Sequence, residues 1–164
     1  MQAAGIPSQY LTKDGTGRGR MYKHILLPTD GSELSKAAMK HGITLARAIG
    51  AKVTALVVST PLNSLVVDPD IVSGALDQYK ALVVEQTAKY LDNISNTARE
   101  SGVECGTLCI EHDKPYEAIV DTARSRGCDL VVMASHGLRG VSAILGSETL
   151  KVLTHTSVPI LVYR

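Results

Sequence analysis

Ser135, His136, Gly137, Gly140, Gly146 and Ser147 stand within one run, MASHGLRGVSAILGSETL, from Met133 to Leu150. Glycines are used where the backbone must turn sharply or let something approach closely. Backbone N–H groups at a helix start, helped by the positive end of the helix dipole, hold anions. Gly146 and Ser147 precede an amphipathic stretch, so a phosphate cradle and a demanding turn are both open readings of this run. The GxxxxGK[ST] and GxGxxG patterns are absent, so the ordinary P-loop and dinucleotide readings fail. Arg139 could serve a phosphate or stand as a solvated loop cation.

A second polar group follows another apolar run. Ile25-Leu26-Leu27 is stopped by Pro28, and Thr29, Asp30, Gly31, Ser32 and Glu33 come next. Asp30 or Ser32 can cap a helix, and Glu33 suits its first turn. Asp30 as a general base is the lesser reading. His136 has no Ser-His-Asp partner spacing, so loop structure or ribose contact is preferred to catalysis. His24, His41, His112 and His155 form no HxxxH or HxH pair, and no metal site is expected.

The elements that must position these groups alternate. Strands are predicted at Ile25–Leu27, Ala51–Ser59, Val103–Glu111, Asp129–Ala134 and Val158–Tyr163. Helices are predicted at Ser32–Ile49, Ile71–Ser101, Asp113–Gly127 and Ser147–Thr156. The apolar stripe of the first helix is read as Leu34, Ala37, Ala38, His41, Leu45, Ala48 and Ile49. That of the second is Leu76, Tyr79, Val83, Thr87, Tyr90, Leu91, Ile94 and Ala98. Alternation of this kind predicts an α/β fold: an open, doubly wound, five-stranded parallel sheet with helices on both faces. Right-handed crossovers favour the order 3-2-1-4-5, which puts the switch point between strands 1 and 4. Ligands in open α/β sheets bind in that crevice, at the carboxyl ends of the strands. Both polar groups end there.

Composition narrows the function classes. The chain has 164 residues, formal net charge +1, and interspersed acidic and basic residues. That disfavours nucleic-acid scaffolds and polybasic membrane contacts. No stretch suits a membrane span. With neither Trp nor Phe, the core must be aliphatic. Cys105, Cys109 and Cys128 are odd in number, lack a CxxC pair, and read as small buried residues of a reducing, cytoplasmic compartment. Residues 1–20 read as a flexible leader and 21–164 as a single domain. Met21 reads as an alternative start, which would make the leader a vector remnant or a mis-assigned start.

Three blocks, HILLPTDGSELSKAAMKHGITLARAIGAKVTALVV, LVVMASHGLRG and GSETLKVLTHTSVPILVYR, resemble the universal stress protein family, and the resemblance covers Met21 to Arg164. It implies an adenine-nucleotide site of pattern G-x2-G-x9-G-[ST], taking ATP or AMP, with Mg accompanying ATP. By position, Pro28, Thr29 and Asp30 would frame the adenosine and Val58 would meet adenine. Met133, Ser135, His136 and Gly137 would line the ribose and phosphate path. Gly146, Ser147 and Glu148 would offer N–H groups to phosphate. Two departures stand out: Ala134 replaces the first glycine, and eight residues separate Gly137 from Gly146.

The resemblance implies a small cytoplasmic stress-response protein that senses or regulates through bound nucleotide. The alternatives are an interaction protein of the same fold with an empty site, or a weak ATPase or adenylyl-transfer enzyme. The last is least favoured because no acidic metal-binding pair or water-activating base is evident. The fifth strand, VPILVY, lies at a sheet edge with no charge before Arg164. Such edges invite pairing, and the resemblance implies the same, so a homodimer through Val158–Tyr163 is expected.

Overall fold

The computed structural model describes residues 12–13, 19–61, 73–137 and 145–164, with backbone alone for 12–13, 19–20 and 73–76. Residues 1–20 are expected from the sequence to form a flexible leader. The structure pairs β1 (Thr12–Lys13) with β2 (Gly19–Arg20) as a short antiparallel ladder.

The main sheet contains β3 (His24–Thr29), β4 (Lys52–Ser59), β5 (Cys105–Glu111), β6 (Leu130–Ala134) and β7 (Ile160–Tyr163). Its order is β5-β4-β3-β6-β7, and every neighbouring pair is parallel. This is the 3-2-1-4-5 order expected of the five main strands. The connecting helices are α1 (Glu33–Ile49), α2 (Ser73–Glu100), α3 (Pro115–Ser125) and α4 (Ser147–His155).

The strands bury both faces, as near-continuous aliphatic runs require in a parallel sheet. On one face Ile25 and Leu27 of β3 and Leu130 and Val132 of β6 pack with Met39, Ile43 and Ala46 of α1 and Leu91, Ile94 and Ala98 of α2. On the other, Leu26, Leu56, Val131 and Met133 pack with Ile119 and Ala123 of α3 and Val152 of α4. Cys128 is buried here, and desolvation pushes its thiol up to about 11. Burial fails for Cys105, which is half-exposed, and for Cys109, which is exposed, because β5 is an edge strand.

The α1 stripe differs from the expectation by about one residue. Ser35, Ala38, Met39, Gly42, Ile43 and Ala46 are buried, whereas His41 and Ala48 are exposed. The hydrophobic pattern misses this because two polar or small positions face inward. Ser35 hydrogen-bonds to β3. Gly42 lies directly against the Leu27 side chain, where a Cβ would collide.

In α2 only the lower part of the stripe is buried. Leu91, Ile94 and Ala98 are covered, Val83, Thr87 and Tyr90 are half-buried, and Tyr79 is exposed. The Leu76 side chain lies outside the described residues. At 28 residues, α2 is about 42 Å long at 1.5 Å per residue, while the longest strand it covers spans about 26 Å.

Candidate functional site

The crevice opens because of a proline. The Lys52 N–H donates to the Lys23 carbonyl, so the odd-numbered positions of β3 hydrogen-bond to β4. In a parallel ladder the even-numbered positions then face β6. That ladder runs only through Ile25↔Leu130 and Leu26↔Val131. The next rung needs an N–H from residue 28, and Pro28 has none. Pairing of β3 with β4 continues meanwhile to Thr29↔Val57. Hydrogen bonding between β3 and β6 therefore stops at the carboxyl ends of both strands, at the switch point.

Above Pro28, the chain turns. Asp30 accepts the Ser32 N–H on Oδ1 at 3.0 Å, a local turn that its short side chain favours. Ser32 caps α1 through its hydroxyl, which accepts the Ser35 N–H at 3.2 Å. Of the two cap candidates, Ser32 thus closes the helix and Asp30 shapes the approach to it. Thr29 is buried and points toward α1 and α2, with Oγ1 at 3.0 Å from Ser35 Oγ and 2.9 Å from the Tyr90 hydroxyl. By alternation, Pro28 faces the α3/α4 side, with half-buried Val58 and buried Met133.

Across the crevice, Ser135 is buried and its Oγ lies 3.1 Å from His136 Nδ1. His136 is half-buried and Gly137 exposed. Gly137 passes so close to Asp30 that a Cβ there would run into the carboxylate Oδ2. The two polar groups picked out in sequence therefore meet at the mouth of the crevice. Arg139 and Gly140 lie outside the described residues.

Gly146 is the N-cap of α4. Its N–H donates to the Ser135 carbonyl at 2.7 Å, and a Cβ would come within 3.1 Å of His136 Cα. The fold-back against β6 thus leaves little room for a side chain at 146, and the Gly146 amide is donated to the chain. Thr149 adds a clamp, donating from Oγ1 to the Ala134 carbonyl at 3.0 Å. Thr149 escaped the sequence reading because a threonine inside a helical stretch carries no periodic signal. Among the described residues, none caps the start of α4 with a side chain. Glu148, in its first turn, points away: its carboxylate accepts the Tyr116 N–H at 3.0 Å and pairs with Lys151 at 2.7 Å. The helix start keeps its positive dipole end, with Ser147 exposed there. Ala134 is buried, and strand alternation turns its methyl to the α1 side, away from Val58 and Met133.

Fold and crevice define a class: an open α/β domain whose strand pairing ends early at the topological switch point, with the start of α4 beside it. The universal stress protein family model matches residues 21–164, and the chain belongs to that family. It is 33% identical over 147 residues to universal stress protein MJ0531 of Methanocaldococcus jannaschii, covering 88% of this chain and 83% of that one. The solved structure of MJ0577 from the same organism superposes with TM-score 0.73 at 29% identity, covering 87% of this chain and 96% of that one. More distant structures share the fold. They include a universal stress protein in complex with cAMP (TM-score 0.63, 21% identity) and one from Archaeoglobus fulgidus in complex with dAMP (TM-score 0.59, 20% identity). Among the described residues, no helix is long and apolar enough to cross a membrane.

Proposed function

We propose that this protein binds an adenine nucleotide, ATP or AMP, in the crevice between β3 and β6 and acts as a nucleotide-dependent regulator. The observation that carries the reading is the start of α4, without a side-chain cap among the described residues, set beside the Asp30–Gly137 contact where β3–β6 pairing has ended. A ligand with an apolar-faced ring and an anionic tail matches those surroundings. Val58 and Met133 offer apolar surface to adenine, and Asp30 offers acceptor oxygens to a ribose hydroxyl or the adenine amino group. Ser135, His136 and Gly137 line the path between them. Phosphate is taken by the amides of Ser147, Glu148 and Thr149 and by the Ser147 hydroxyl. Pro28 and Thr29 shape the site from behind. Mg would accompany ATP on the phosphate side.

The cAMP and dAMP complexes of distant relatives support an AMP-type ligand. The substitution at Ala134 is compatible with binding, since its methyl faces α1. The protein works in the cytoplasm as a homodimer joined along β7.

Native mass spectrometry of freshly purified protein tests the reading by the mass of co-purified ATP, ADP or AMP. Added nucleotide should also raise the melting temperature, since a ligand at 100 times its Kd stabilises by about 2.7 kcal/mol. Asp30→Ala should abolish the shift. No co-purified nucleotide and no shift at millimolar ATP or AMP would overturn it.

A further inference from the structure

Four hydroxyl and carbonyl groups form a chain whose direction is set by counting protons. Ser35 Oγ donates to the Ser32 carbonyl at 3.0 Å. A serine has one hydroxyl proton, so toward Thr29, 3.0 Å away, Ser35 must accept. Thr29 then spends its own proton on Ser35. Toward the Tyr90 hydroxyl, at 2.9 Å, Thr29 must accept. The Gly31 N–H donates to the same Thr29 oxygen at 3.3 Å. The chain runs from Tyr90 to Thr29, to Ser35, to the Ser32 carbonyl, and that carbonyl also accepts the Lys36 N–H of α1 at 2.9 Å.

The two ends of this chain belong to different parts of the molecule. One end is the turn Thr29–Ser32, which carries Asp30 and the cap of α1. The other is the middle of α2. Below Tyr90, α2 is anchored by buried Leu91, Ile94 and Ala98. Above it, Tyr79, Leu82 and Val84 are exposed. Tyr90 is half-buried and lines a groove of about 330 Å³ together with Asp30 and Gly31. Apolar packing alone would be served by phenylalanine. The hydroxyl is placed where it completes Thr29, and Thr29 in turn holds the amide next to Asp30.

We propose that Tyr90 is a positioning residue for the nucleotide-binding turn: its hydroxyl orients Thr29, and through Thr29 it fixes Gly31 and Asp30 in the geometry that receives the ligand. This rests on the nucleotide reading above. Tyr90 touches no ligand atom in this scheme and acts only through Thr29. Because α2 supplies the donor, the position of α2 bears on the crevice from the opposite face of the sheet.

The test uses Tyr90→Phe and Ser35→Ala in the full chain, with two readouts. The first is calorimetric affinity for ATP and for AMP. Tyr90→Phe should weaken both by about five-fold, the scale of one neutral hydrogen bond. The double variant should lose no more than the worse single variant, because both break one chain. The second readout is amide hydrogen exchange at Gly31 without ligand, which should speed up in both variants. A lower melting temperature with unchanged affinity and unchanged Gly31 exchange would assign Tyr90 a purely structural role and overturn the proposal. If the unmutated protein binds neither nucleotide, the nucleotide reading fails by itself. Gly31 exchange then decides whether Tyr90 positions the turn: faster exchange sustains it and unchanged exchange overturns it.

Discussion

Gly137 and Asp30 touch across the crevice, main chain against carboxylate, with no room for a Cβ between them. They lie 107 positions apart in sequence, at the ends of two strands that are neighbours in the sheet. Gly137→Ala would force the Asp30 carboxylate aside and break its bond from the Ser32 N–H. The expected cost is about 1 kcal/mol, the worth of one such bond. In an Asp30→Gly background the added methyl should cost almost nothing, since its obstacle is gone. Chemical denaturation of the two single variants and the double variant measures this, and additive losses would contradict the contact.

The start of α4 allows a cleaner test of the phosphate site than Gly146 does. A valine at 146 would press on His136 and Ser135 and disturb the turn itself. Ser147 is the first helical residue, where proline is well tolerated. Gly146 already has φ −61° and ψ 149°, the extended conformation a residue before proline prefers. Ser147→Pro therefore removes one N–H and one hydroxyl while the helix stands. ATP and AMP affinity should drop about ten-fold, as for the loss of a hydrogen bond to a charged group. Adenosine affinity and the melting temperature should hardly move. Equal losses for ATP and adenosine would place the phosphates elsewhere.

The strand order was legible because it follows from alternation and crossover handedness, which need only the sequence of elements. The meeting of the Pro28–Asp30 and Ser135–Gly137 segments was legible for the same reason. What Pro28 does there was not. Its effect depends on which neighbour its missing N–H would have faced, and that is a matter of register. That the Gly146 amide goes to the Ser135 carbonyl was not legible, because a glycine before a helix signals a turn without saying where its amide goes. The α1 stripe slipped by about one position because Ser35 and Gly42 face inward, one for a hydrogen bond and one for close packing. Neither has the apolar signature that periodicity detects. Tyr90 was placed correctly on the inner face of α2, but no spacing rule ties a helix tyrosine to a threonine 61 residues earlier.

Acid should destabilise the fold through His24. This side chain is buried, with Nε2 at 2.8 Å from Thr54 Oγ1. Burial, and after it the nearby Lys52 charge, lowers its pKa below 6.5, against smaller opposing effects of the Arg126 backbone, Asp129 and Glu104. Between the lowered folded value and the ordinary unfolded one, the unfolded chain binds more protons, so stability falls as pH falls through about 6.5. The loss levels off once pH passes below the folded pKa. Melting temperatures from pH 8 to pH 5 should show this fall for the unmutated chain and a flatter profile for His24→Gln. Parallel profiles for the two would clear His24 of the effect.

Self-association should follow from the outer edge of the sheet. β7 pairs with β6 on one side and is the terminal strand of the order on the other. Its alternation places Ile160 with the α3/α4 cluster, while Tyr163 stacks on His41 of α1 at 4.6 Å between ring centroids. Leu161 remains exposed, and on α4 so do Leu150 and Leu153, at helical spacing. Among the described residues β7 has no strand on its outer side, and an edge strand flanked by exposed leucines is the combination that favours pairing with a second copy. Two copies related by a two-fold axis would join their β7 strands antiparallel, so each residue near the axis would face its own symmetry mate. Leu161→Lys would place two like charges close together there, and Leu153→Glu would put a carboxylate into the flanking apolar contact. Either should shift the protein toward monomer while leaving the folded domain intact by circular dichroism, since both side chains are already exposed. Analytical ultracentrifugation at micromolar concentration should show a dimer for the unmutated chain and a lighter species for each variant. A monomer in the unmutated protein, or a dimer that both substitutions leave untouched, would rule out β7 as the joining edge.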